Sequence, residues 1–132
     1  MVTVTFADLT HVGVVVDANI TPLGIGYVAA YAARHIKDEI DVKLFKFPDK
    51  FEQYLHDTTP VIACFSNYMW NERLQLGFAR QIKQHHPEVI TVFGGPNYPV
   101  DVSKQHEFLR QHKEIDFYID GEGERAFVEL YS

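Results

Sequence analysis

The sequence predicts an α/β domain, a three-layer sandwich with a five-stranded parallel sheet at its centre. Three observations carry this. Strand-like and helix-like apolar patterns alternate five times along the 132 residues, with Pro or Gly at many junctions. The third and fourth strands, "VIACF" and "VITVF", are nearly all apolar, as strands covered on both faces are. The second and fifth, "DVKLFKF" and "DFYID", carry charges and suit edges. Placing those two outside gives the order 2-1-3-4-5, the Rossmann-like, flavodoxin-like arrangement, whose ligand crevice opens between the first and third strands.

Each element has its own local reason. Residues 2–9 form the first strand, with Val2, Val4 and Phe6 alternating with Thr3 and Thr5. A long connection runs to Thr21, and "VGVVV" at 12–16 is able to extend the strand. Residues 22–37 form a helix, with Pro22 at a permitted first-turn position. A second strand spans 41–47. A short helix spans 49–56, where Asp49 and Glu52 have capping-box spacing. The third strand is 61–65. The helix over 71–85 is the clearest, capped by Asn71, with Trp70, Leu74, Phe78 and Ile82 recurring on one face, which puts Trp70 in the core. The fourth strand is 89–93, a helix follows over 103–112, the fifth strand is 115–120, and a last helix starts at Glu124. The chain ends where that helix is still growing, so the expectation is one domain, residues 1–132, of a longer protein.

Composition narrows the function. A net charge of −6 without a lysine or arginine run leaves no electrostatic footprint for nucleic acid. No apolar stretch is long enough for a membrane span, and the N-terminus lacks a signal-peptide pattern. Cys64 is the single cysteine, which excludes an internal disulfide or a cluster built from local thiolates and fits a reducing cytoplasm. It lies inside an apolar strand and reads as core.

The carboxyl ends of the strands differ from the opposite edge. "DLTH" and "NITPLGIG" follow the first strand, "SNYMWN" the third, "GGPNYP" the fourth and "GEGE" the fifth. The other loops, "DTTP", "HHPE" and "QHKE", are plain. A ligand crevice is therefore expected on the carboxyl edge. Gly24 and Gly26 bare the backbone where a helix begins. Gly94 and Gly95 do so at the end of a central strand, either for a group threading past the sheet or for a tight turn into Pro96. Ser66 stands ready to bond a buried polar atom of that group, or to cap its own turn. Tyr68, Met69 and Trp70 offer an apolar floor for a flat ligand.

Nucleotides fit less well. "GIGYVA" matches G-x-G-x-x-A, but about a dozen residues separate it from its strand, and no acid ends the second strand. The Ser/Thr-rich phosphate loop of a flavin mononucleotide site is missing. Phe65 and Ser66 occupy the place of a phospho-acceptor Asp.

Taken in order, "DLTH", "PLGIGYVAAYA", "FSNYMWN", "VFGGPNYP" and "IDGEGERAF" span nearly the whole chain. Together they resemble the N-terminal cobalamin-binding domain of cobalamin-dependent radical S-adenosylmethionine enzymes. The resemblance implies a corrin ring over the carboxyl edge and a dimethylbenzimidazole tail running between Ser66 and the Gly94–Gly95 pair. The cofactor-contacting set it implies begins with Thr10 and His11 and continues with Asn19, Thr21, Pro22, Leu23 and Gly24. It includes Ser66, Asn67, Tyr68, Met69 and Trp70 after the third strand. Phe93, Gly94, Gly95, Pro96 and Asn97 follow the fourth, and Gly121, Glu122 and Gly123 the fifth. Glu122 and Glu124 are placed to bond corrin amides or to cap the last helix, with capping favoured.

The methionine-synthase type of this fold carries D-x-H-x-x-G, whose His binds cobalt from below. With its Gly laid on Gly24, the His place holds Thr21 and the Asp place Asn19. The expectation is base-off cobalamin without a histidine beneath the metal, and no protein metal ligand. His11 lies at the correct edge, able to approach the ring, but is not read as a metal ligand; His35, His56, His85, His86, His106 and His112 are read as solvated. The iron–sulfur cluster and S-adenosylmethionine belong to a downstream domain of the same polypeptide, so this chain binds and presents the cofactor without catalysing by itself. The competing readings are a stand-alone flavodoxin-like domain binding a flavin or dinucleotide, and an interaction domain. Gly95→Val is expected to block the tail channel while leaving the domain folded.

Overall fold

The computed structural model describes residues 2–9 and 40–119. Their strands are β1 (Val2–Ala7), β2 (Ile40–Phe45), β3 (Ile62–Ser66), β4 (Ile90–Gly94) and β5 (Phe117–Ile119). The helices among them are α1 (Pro48–Asp57), α2 (Glu72–His85) and α3 (Val102–Gln111). The sheet has five strands in the order β2-β1-β3-β4-β5, every neighbouring pair parallel. The edge assignment from strand polarity therefore holds: Lys43 and Leu44 of β2 are exposed, while β3 is buried along its whole length. The helices expected over 22–37 and from Glu124, and the "VGVVV" segment, lie outside the described residues.

Alternation along the strands separates two apolar clusters. Ala7, Ala63, Phe65 and Phe93 face α1 and α2, meeting Phe51, Leu76, Phe78, Ala79 and Ile82, with Phe108 and Leu109 of α3 packed alongside. Val4, Phe6, Ile62, Cys64 and Val92 form the cluster of the opposite face. The first cluster is aromatic at its centre: Phe51 lies 5.1 Å from Phe78 and 5.8 Å from Phe65, and Phe65 stacks on Phe93 at 5.0 Å. Cys64 is fully buried and its thiol is pushed far up by burial, consistent with a core role.

Three local expectations change. Asp49 and Glu52 form no capping box; the helix begins one residue earlier, with Pro48 in its first turn and Phe47 at the cap without a side-chain bond. Trp70 precedes α2 and is 52% exposed, so the apolar stripe of that helix starts at Leu74. His112 is half-buried against the Phe108 ring and bonds Glu114 at 3.1 Å, unlike a solvated residue.

One buried polar atom is unsatisfied among the described residues. Thr5 is fully buried on β1, and its Oγ1 has no hydrogen-bond partner among them. A desolvated hydroxyl without a partner costs about 1–3 kcal/mol. Thr5→Val keeps the shape and removes the cost, so the midpoint of urea unfolding should rise by an amount equivalent to about 1 kcal/mol. A lowered midpoint would mean the hydroxyl is satisfied in solution.

Candidate functional site at the carboxyl edge

The site is built from the ends of three adjacent strands. The Asp8 backbone N–H donates to Phe45 O at 3.0 Å, so the chain keeps strand geometry one residue beyond β1. Ala7 pairs with Phe65 and Ser66 pairs with Gly94. Asp8, Ser66 and Gly94 thus stand side by side at the carboxyl ends of the three strands. Phe93 is fully buried in the first cluster.

A hydrogen-bonded network fixes this row. Ser66 Oγ donates to Asp8 Oδ1 at 2.7 Å, and Asn71 Nδ2 donates to the same oxygen at 3.1 Å and to Leu9 O at 3.2 Å. Asn71 stands at the cap position of α2 but does not cap it: its Oδ1 accepts from Tyr68 N at 3.0 Å, closing the loop that Ser66 opens. One turn further, fully buried Gln75 accepts from Leu9 N at 3.2 Å and donates to Ala7 O at 3.1 Å and to Ser66 O. Two amides of one helix thus hold the ends of β1 and β3 together. Burial pushes the Asp8 carboxyl upward; the bonds from Ser66 and Asn71 and the charge of Lys46 act against it. The Tyr68 phenol is also raised, first by burial and then by the Asp8 charge.

Asp8, Asn71 and Gln75 were not among the cofactor-contacting residues expected from sequence, and Asn71 was expected only as a helix cap. Their signal was nonetheless present. Asp8 interrupts an apolar strand at its carboxyl end, and Asn71 and Gln75 are four apart on the stripe that continues through Ala79.

The two glycines have different jobs. Gly95 has φ +122, and a Cβ there would lie 2.7 Å from Asn67 O and 2.8 Å from Asn67 N. Around it the chain crosses itself closely: Asn67 N donates to Gly94 O, Asn97 N donates to Asn67 O at 3.1 Å, and Asn67 Nδ2 donates to Asn97 O at 2.7 Å. Gly95 therefore serves the turn, and the expectation that Gly95→Val spares the fold is corrected. Gly94 is different: a Cβ there would meet Ile119 O at 3.5 Å, ordinary contact. Among the described residues, its missing side chain leaves room beside Ser66.

The rim is apolar and exposed. Tyr68 and Trp70 stack with ring centroids 4.7 Å apart and planes 6° from parallel, and Met69 between them is 82% exposed. Pro96 is exposed, and Asn97 is spent on Asn67. Thr10, His11, Asn19, Thr21, Pro22, Leu23, Gly24, Gly121, Glu122 and Gly123 lie outside the described residues. At the opposite edge a concavity of about 710 Å³ is lined by exposed His56 and His85 among others. No group of three His, Cys, Asp or Glu able to hold a metal occurs among the described residues.

A parallel 2-1-3-4-5 sheet with a polar row, a bare glycine and an aromatic rim at its carboxyl edge defines a flavodoxin-like α/β binding domain. The chain belongs to the B12 binding domain family, whose model matches residues 9–131. Among curated relatives, a 2-(S-pantetheinyl)-carbapenam-3-carboxylate methyltransferase from Streptantibioticus cattleyicolor is 40% identical over 73 residues, 55% of this chain. The cobalamin-dependent radical SAM methyltransferase TokK from Streptomyces tokunonensis is 38% identical over 71 residues, 54% of this chain. The matched segment is 10% of the length of each relative. Among solved structures, the RcsB response regulator of Salmonella typhimurium superimposes with a TM-score of 0.60 at 14% identity, over 98% of this chain and 59% of that one, a likeness of fold alone. No helix among the described residues is long and apolar enough to cross a membrane.

Proposed function

We propose that this chain holds cobalamin base-off at the carboxyl edge, without a histidine beneath the cobalt, and presents it to a radical S-adenosylmethionine domain elsewhere in the same polypeptide. The observation that carries the reading is the row Asp8–Ser66–Gly94. It combines hydrogen-bonding groups with a position where a side chain is absent but sterically allowed by the described residues, which suits a flat aromatic base lying against the sheet. Stacked Tyr68 and Trp70, with Met69, supply the apolar surface on which a corrin rests. Thr21 and Asn19 stand where the His and Asp of the methionine-synthase type would be, which supports the His-off form. When bound, cobalamin supplies a cobalt centre that carries and transfers a methyl group.

The chain's own residues bind the tail, orient the ring and cover one side of it. The names of both methyltransferase relatives support methyl transfer as the reaction of the whole protein. The cytoplasm is the setting we infer, because the thiolates of an iron–sulfur cluster need reducing conditions. The residues given above at Thr10 to Gly24 and Gly121 to Gly123 complete the proposed contact set.

Titration of the 132-residue chain with hydroxocobalamin, flavin mononucleotide and a nicotinamide dinucleotide tests this. Hydroxocobalamin is expected to bind with a shift of its visible spectrum to the base-off form, and the nucleotides not to bind. Tight nucleotide binding with no cobalamin uptake would favour the flavodoxin-like alternative and end the cobalamin reading.

A further inference from the structure

Among the described residues, the row at the carboxyl edge holds more acceptors than protons. Ser66 gives its only proton to Asp8 Oδ1 at 2.7 Å, the shortest of the described donors to that carboxylate. What Ser66 turns outward is therefore a lone pair. The neighbouring amides cannot repair this. Asn71 is committed to Tyr68 N, Leu9 O and Asp8, and Gln75 to Leu9 N, Ala7 O and the Ser66 carbonyl, leaving only a long 3.4 Å approach to Ser66 Oγ. An aromatic nitrogen base laid against Ser66 also brings a lone pair, so acceptor meets acceptor. Turning the hydroxyl towards the base would strip a half-buried carboxylate of its best donor.

One added proton removes the conflict. If it sits on Asp8, the acid donates to Ser66 Oγ and the hydroxyl donates to the base. If it sits on the base, the base N–H donates to Ser66 Oγ, whose proton stays on Asp8. Both forms have the same composition: one H⁺ taken from solvent, one O–H or N–H bond formed, no other bond changed. We propose that this edge takes up the cofactor's tail base together with one proton, shared along the row Asp8–Ser66–base. The inference rests on the cobalamin reading.

Other charges near the row have definite roles. Among the described residues, Lys46 beyond β2 opposes protonation of Asp8, and Tyr68 beyond β3 stays a neutral phenol. Burial of Asp8 works in the direction of holding the proton. The complex then binds one proton more than its separated parts. Affinity is greatest at low pH and falls about tenfold per pH unit once those parts have lost that proton.

The test is calorimetric titration of the 132-residue chain with methylcobalamin in phosphate and in Tris at one pH, repeated across pH. Uptake close to one proton is expected, with none for methylcobinamide, which lacks the tail. Asp8→Asn has no proton to exchange and lets the hydroxyl turn outward at the cost of one neutral bond; it should lose the uptake and flatten the pH profile. Ser66→Ala, which leaves the strand intact, should bring methylcobalamin affinity down towards that of methylcobinamide. Methylcobalamin binding without proton uptake, or undiminished uptake in both variants, would overturn the proposal and leave cobalamin binding standing. Absence of methylcobalamin binding in the unaltered chain would overturn both.

Discussion

Gly95→Val should fail to give a natively folded domain, whereas Gly94→Ala should fold normally and bind cobalamin weakly. The two positions are adjacent and chemically identical in sequence, so the difference lies in backbone geometry. At Gly95 the φ of +122 is a conformation that a β-branched residue adopts only under strain, at about 1–3 kcal/mol. The added Cβ would also press on Asn67 O at 2.7 Å and Asn67 N at 2.8 Å. That backbone cannot yield freely, because its N–H bonds Gly94 O and its carbonyl receives Asn97 N. Breaking both adds roughly 1–3 kcal/mol. The sum, about 2–6 kcal/mol, approaches the whole stability of many small domains.

At Gly94 the only described neighbour of an added methyl is Ile119 O at 3.5 Å, so stability should change little. A ligand lying over the strand end would instead meet that methyl, and overpacking of about 1–3 kcal/mol corresponds to a loss of affinity of roughly 5-fold to 150-fold. Circular dichroism melts and cobalamin titrations of both variants separate the two effects. A Gly95→Val protein with a native melt and only a binding defect would show that the turn does not need glycine. Unchanged affinity in Gly94→Ala would show that the tail does not pass over that position.

The same pair shows what could and could not be read from the sequence. Strand order was legible because burial on both faces removes polar residues, as in β3, while an edge tolerates Lys43 and Asp41. The location of the polar loops was legible for a topological reason: the carboxyl ends of parallel strands all open on one side. Backbone sign was not, since "GG" carries no φ. Contacts across the sheet were not either. Trp70 has helical spacing with Leu74, yet the chain is still in a loop there, and the indole stacks on Tyr68 instead of entering the core. Asp49 has an acid three residues on, but Pro48 supplies the preset φ that starts the helix sooner. Ser66 was recognised as a strand-end hydroxyl. That its proton is already promised to Asp8, 58 residues away, is a fact of tertiary structure.

The largest effect away from the glycines is expected at Gln75. Its amide is the only group of α2 that bonds the β1 and β3 ends by three separate backbone atoms: Leu9 N, Ala7 O and Ser66 O. Gln75→Leu has similar volume, so no large cavity opens, and the added apolar contact offsets part of the loss. What remains is a set of buried backbone groups without partners, at about 1–3 kcal/mol for each that water cannot reach. With the Leu9 amide and at least one carbonyl stranded, the net cost should be about 3–4 kcal/mol, lowering Tm by roughly 10–20 °C for a domain of this size. Gln75→Glu discriminates between shape and bonding. It keeps the acceptor for Leu9 N but turns a negatively charged oxygen towards Ala7 O and Ser66 O, so it should be at least as damaging at neutral pH and should recover in part as acid protonates the new carboxyl. A Gln75→Leu melt within about 2 °C of the unaltered chain would mean that less than 1 kcal/mol hangs on the network, and that α2 holds the two strand ends by apolar packing through Leu76 and Ala79 alone.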